Sequence, residues 1–96
     1  MTDAVAIFVN IPCPTIEEAK KLCGSLLKKG LCGTVQIKEN THLMYTESGK
    51  VEGDDIVMMS IKTTKGNLKA IEAYILANHS WGTPCVDVVP IITDHC

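Results

Sequence analysis

The sequence predicts an α+β fold of order βαββαβ, with both helices on one face of an antiparallel sheet. Three observations carry this reading. Short apolar runs rich in β-branched residues occur near both ends, from Ala4 to Ile11 and again at Val86, Val88, Val89 and Ile91. Two stretches between these ends show helical periodicity. The centre, Gly33 to Thr64, reads as one long hairpin whose β-rich arms flank the turn residues Ser48-Gly49.

The first strand, AVAIFVNI, is expected to end at Pro12-Cys13-Pro14, because proline cannot donate to a ladder. Thr15 then reads as an N-cap: Glu18 completes a capping box, and Glu17 suits the positive end of the helix dipole. Ile16, Ala19, Cys23, Leu26 and Leu27 form an apolar stripe, while Lys20, Lys21, Lys28 and Lys29 lie off it. Gly30 is the expected left-handed residue that stops this helix.

In the hairpin, Val35, Ile37, Leu43 and Tyr45 alternate with polar neighbours on the first arm. Ile56 to Ile61 is almost continuously apolar, the pattern of a strand buried on both faces. Each arm has room for roughly 10–14 residues, about twice the usual strand length. Two helices cannot cover arms that long, so the overhang is expected to meet partner chains. Beyond Thr64, Lys65-Gly66-Asn67 makes a turn with Asn67 as the expected N-cap of a second helix. Leu68, Ile71 and Ile75, with Leu76 beside them, give its apolar stripe as far as Asn78. A loop from His79 to Pro84 leads to the last strand, which Pro90 places at or near a sheet edge. The order is that of the ferredoxin-like sandwich, as a single domain over residues 1–96.

Composition removes several function classes. The 96 residues are 46% hydrophobic and 21% charged, with a net charge of −2 and no arginine. Nucleic acids and anionic lipids call for a cationic surface and the guanidinium fork, so neither is an expected partner. No window approaches the roughly 18 apolar residues of a membrane span, so no membrane insertion is expected. MTDAVAIFVN lacks the basic start of a signal peptide, and the expected location is the cytoplasm. Five cysteines at irregular spacing read as free thiols rather than a disulfide framework. Three functions carried on this fold fail on specific residues. A soft-metal chaperone needs a CxxC pair, but Ile16 stands where the partner of Cys13 would be. An RNA-recognition sheet needs stacking aromatics, absent from IVMMSIK, and an acylphosphatase-like site needs an arginine. His42 has no nucleophile in register, no phosphate loop exists, and the chain does not read as an enzyme.

Three segments, in register on this topology, resemble the CutA divalent-cation tolerance family along nearly the whole chain. EEAKKLCGSLLKKGLCGTVQI is similar to the family's first helix and second strand. YTESGKVEGDDIVMMSIKTT is similar to its hairpin, and HSWGTPCVDVVPI to its His-Pro-aromatic-x-x-Pro-Glu segment and last strand. The resemblance implies a homotrimer whose long hairpins pair across subunits. It also implies a part in tolerance of copper or other divalent cations, by direct metal binding or indirectly. Ser80 replaces the family's proline and Cys85 its glutamate, and Thr34 stands where many relatives carry cysteine. The cysteine-based copper site of some relatives therefore does not carry over intact. Two other readings belong to different classes. One is a trimeric signalling module like the PII proteins, binding a small anion or nucleotide at subunit clefts. The short tip at Ser48-Gly49 and the absence of arginine argue against it. The other is a structural trimer that anchors a partner protein.

His79, Cys85, Asp94, His95 and Cys96 are candidate ligands for a divalent metal such as copper or zinc. The competing reading makes His79 a helix cap, Cys85 a small core residue and the terminal residues a disordered tail. Tyr45, Lys62 and Trp81 are the expected trimer-interface residues, Lys62 by pairing with an acid of another subunit or by holding an anion. Glu52, Asp54 and Asp55 read as solvated charges that guard a strand edge, and Cys23 as core.

Overall fold

The computed structural model describes residues 5–92. Its elements are β1 (Ala6–Cys13), α1 (Ile16–Lys28), β2 (Thr34–Glu47), β3 (Lys50–Thr64), α2 (Leu68–Asn78) and β4 (Asp87–Pro90). The sheet order is β2-β3-β1-β4, with every neighbouring pair antiparallel. This is the ferredoxin-like sandwich read from the periodicity.

Strand alternation sorts β1 between two faces. Ile7, Val9, Ile11 and Cys13 point to the helices and are buried. They pack with Val57, Met59 and Ile61 of β3, with Ala19, Leu22, Cys23 and Leu26 of α1, and with Ile71 and Ile75 of α2. Phe8, Asn10, Gln36, Lys38, Ser60 and Val89 line a shallow depression on the opposite face, which carries no helix.

α1 begins as expected, with the Thr15 Oγ1 accepting the Glu18 N–H at 3.2 Å. It stops in a Schellman motif: Gly30 at φ 70° lets the Gly30 and Leu31 N–H groups bond the Leu27 and Leu26 carbonyls. Leu22 rather than Leu27 completes the buried stripe; Leu27 is 40% exposed.

The hairpin arms reach 14 and 15 residues, joined at Ser48 (φ 52°) and Gly49 (φ 79°), the φ signature of a type I′ turn. A bulge between Lys38 and Thr41, with Asn40 at φ 58°, interrupts the register. Beyond the bulge the arms leave the two helices, and the molecule measures 49 × 26 × 22 Å.

Three local expectations need correction. β1 runs through Pro12 to Cys13 rather than stopping at Ile11. The Pro12 carbonyl accepts from His79 instead of β3, and a residue's N and O share one side of an antiparallel strand, so the missing N–H leaves no gap in the β1–β3 ladder. Asn67 holds the N-cap position of α2 but makes no side-chain cap: it closes a 3₁₀ turn, and its side-chain amide donates to the Thr63 hydroxyl at 3.3 Å. Leu76 is 56% exposed, off the Ile71–Ile75 face. No helix among the described residues is long and apolar enough to cross a membrane.

Candidate functional site

The end of β1, the first turn of α1 and the end of α2 meet at one corner of the sandwich. Cys13 is the last residue of β1 on its helix-facing side. Glu18 reaches the same corner because the Thr15 cap starts α1 there. Its carboxylate does not close the capping box; it accepts the Ser80 N–H at 2.9 Å. His79 is the C-cap of α2, as the helix-cap reading expects, with its N–H on the Ile75 carbonyl at 2.8 Å.

His79 is 5% exposed as a whole, and its fully buried imidazole holds two hydrogen bonds. Its Nδ1 accepts the Trp81 N–H at 3.0 Å, and its Nε2 lies 2.8 Å from the Pro12 carbonyl. An amide N–H only donates and a carbonyl only accepts, so the neutral tautomer with the proton on Nε2 satisfies both. Glu18 Oε2 lies 3.7 Å from Nδ1. The Trp81 ring tilts against the imidazole at 5.3 Å between centroids. Cys13, Glu18 and His79 each offer one ligand atom, all within 4.8 Å of one another.

Burial pushes the Cys13 thiol up to about 11, with the nearby Glu18 charge adding to the effect. Burial also works against the Glu18 charge, but the Ser80 backbone and side-chain hydrogen bonds, the imidazole and the Cys13 thiol outweigh it. The carboxyl is held below its ordinary range. The donor types, thiol, imidazole and carboxylate, suit zinc or copper. The Nε2–H bond to a backbone carbonyl is the outer contact that metal-binding histidines use to aim the opposite nitrogen. The trio therefore fits a divalent ion, on condition that the thiol gives up its proton and Nδ1 gives up the Trp81 N–H.

Of the ligands expected from sequence, only His79 lies in this group. Cys85 is exposed, not a core residue, and belongs to no group of three potential ligands among the described residues. Asp94, His95 and Cys96 lie outside the described residues. Cys13 and Glu18 escaped sequence reasoning, one for lack of a CxxC partner and the other because a capping role already explained it. The topology held the missing signal: in a βαββαβ sandwich the end of β1 and the start of α1 lie beside the end of α2.

Among the expected interface residues, Tyr45 donates its hydroxyl to Asp54 at 2.9 Å and Trp81 is 44% exposed. Lys62 sits mid-sheet, opposite Phe8 of β1 and Thr34 of β2. His42 pairs across the hairpin with Asp55 at 2.9 Å, both side chains well exposed. A cavity of ≈ 390 Å³ opens between α1 and α2, lined by Glu18, Lys21, Tyr74, Asn78 and Ser80 among others.

The sequence pattern of the family described as CutA1 divalent ion tolerance protein matches residues 7–95. The chain belongs to that family. It is 32% identical over 90 residues to the rice protein named "Protein CutA 1, chloroplastic", covering 94% of this chain and 51% of that protein. It is 32% identical over 84 residues to the divalent-cation tolerance protein CutA of Archaeoglobus fulgidus, covering 88% and 81%. Against the solved structure of rice CutA1 the TM-score is 0.90, with 30% identity over 96% of this chain and 84% of that one. The Archaeoglobus fulgidus structure, named a periplasmic divalent cation tolerance protein, gives a TM-score of 0.87 at 29% identity, covering 94% and 87%. The chain spans about half the length of the plant relatives it matches. These CutA likenesses do not favour the PII-like alternative.

Proposed function

We propose that this CutA-family chain is a homotrimeric, non-enzymatic protein of divalent-cation tolerance that holds a copper or zinc ion between Cys13, Glu18 and His79. The convergence of these three donors within 4.8 Å, on an imidazole already aimed by Pro12, is the observation that carries it. The ion would take a thiolate, a carboxylate and a neutral imidazole as ligands, which leaves none of these three free to act as nucleophile or base.

The trimer reading rests on the overhanging hairpin, where Met44 is 65% and Val51 67% exposed, and on the helix-free face of the sheet. A cytoplasmic location agrees with four free thiols among the described residues. Relatives named chloroplastic and periplasmic show that the family does not share one compartment.

Titration of the reduced protein with zinc and with copper, with mass from light scattering in the same samples, tests this reading. The expected result is a trimer taking one ion per chain, with uptake lost in Cys13→Ala and in His79→Ala and retained in Cys85→Ala. Uptake that survives Cys13→Ala and disappears with Cys85→Ala would assign the metal to an exposed thiol instead.

A further inference from the structure

Cys13 is fully buried and His79 is 5% exposed, so no ion reaches them from solvent in the conformation described. The turn after His79 bonds two of the three donors directly. The Gly82 N–H bonds the His79 carbonyl at 3.0 Å, and Gly82 itself stands at φ 78°. Inside this turn two successive backbone N–H groups point at the donors: Ser80 on Glu18 Oε2 and Trp81 on His79 Nδ1. Both bring positive partial charge to the lone pairs a cation would need. Nε2 offers no alternative, since its proton is committed to the Pro12 carbonyl.

We infer that the Ser80–Gly82 turn is the gate of the Cys13–Glu18–His79 group, and that metal enters from the cavity between α1 and α2 by displacing it. This rests on the metal reading of that group. Ser80 and Glu18 both line the cavity, so lifting the turn joins the buried thiol and Nδ1 to its space. The chemical balance is a ligand exchange. Nδ1 exchanges an N–H donor for the ion, and Cys13 forms its bond to the ion by releasing the thiol proton to solvent. The Pro12 and Ile75 bonds of His79 stay in place and act as the hinge.

Trp81 is the chain's one tryptophan, so its emission reports this turn alone. Zinc, which does not quench by electron transfer, is titrated into the reduced protein while bound metal, Trp81 emission and amide hydrogen exchange are followed together. The expected result is an emission change that tracks zinc uptake at the same midpoint. Exchange at Ser80 and Trp81 should be about fivefold faster in the loaded protein, the factor carried by one net hydrogen bond.

Gly82→Ala gives a second readout. A Cβ there meets nothing within 4 Å, so its effect is backbone strain on the closed turn rather than a clash. This variant should lower thermal stability yet tighten zinc binding about fivefold or more, because only the closed state bears the left-handed strain. Zinc bound through Cys13 with no change at Ser80 or Trp81, or weakened by Gly82→Ala, would overturn the gate and leave the site standing. Loss of zinc uptake altogether, or uptake indifferent to Cys13→Ala, would remove the site and the gate with it.

Discussion

Glu18 occupies a position where the demands of a helix start and of a buried polar corner coincide. Its N–H is capped by Thr15, while its carboxylate serves Ser80 and faces His79. The folded protein holds this carboxyl below the ordinary carboxylate range. A group whose acidity is raised by folding stabilises the fold fully above its unfolded pKa, and that contribution is lost as pH falls through the folded value. Glu18→Gln should therefore lower the Tm at neutral pH, and the deficit should shrink as pH falls below the ordinary carboxylate range. Melting curves for both proteins between neutral pH and about pH 3 check this. Cys13 makes the opposite case. Buried and held near 11, its thiol should resist a disulfide-exchange reagent that labels the exposed Cys85 within the native protein. Peptide mapping after native and denatured labelling distinguishes the two. His79→Asn, which cannot reach both Pro12 and Trp81, should expose Cys13 to the reagent.

At the scale of elements, each unit is stabilised where local preference and packing agree. Leu26 is fully buried and its carbonyl also accepts the Leu31 N–H of the Schellman stop. Leu26→Ala should cost about 2–5 kcal/mol by cavity formation, measured by urea unfolding with an unchanged slope. The hairpin turn is less well served. Ser48 takes φ 52° with a side chain that does not favour the left-handed region, whereas Asn-Gly is the preferred pair for this turn. Ser48→Asn should raise stability by about 0.5 kcal/mol, visible as a higher midpoint in the same assay. Gly53 marks a different constraint on β3. A Cβ there would meet His42 Nε2 at 2.7 Å, so the imidazole that pairs with Asp55 lies across a position with no side chain.

The whole molecule is longer than its own core requires. Its long axis of 49 Å is nearly twice its breadth of 26 Å, and the excess is the hairpin. Two-stranded ribbons are marginal alone in water, and this one carries exposed Met44, Tyr45 and Val51. In the proposed trimer, packing against neighbouring chains would cover them. Met44→Glu combined with Val51→Glu should leave the far-ultraviolet spectrum of the sandwich intact and shift the light-scattering mass from trimer toward monomer. An unchanged mass would place the assembly contacts elsewhere, on the helix-free face around Phe8 and Lys62.

The order of elements, the start and stop of α1 and the hairpin were legible along the sequence. These depend on periodicity, capping and turn chemistry, which act over a few residues. Its failures were also local: Leu27 and Leu76 are apolar residues beside a stripe, and only the rotation of each helix on the sheet decides that they face water. Pro12 ended a strand on propensity alone, yet His79, far along the chain, donates to its carbonyl and the strand continues. The candidate site belongs to the same class. Cys13, Glu18 and His79 come from three elements, and no spacing links positions 13 and 79. Only the packing of α1 and α2 on one face of the sheet brings a thiol, a carboxylate and an imidazole to one corner. Only the backbone of the turn after His79 then decides that lone pairs of the carboxylate and the imidazole are covered.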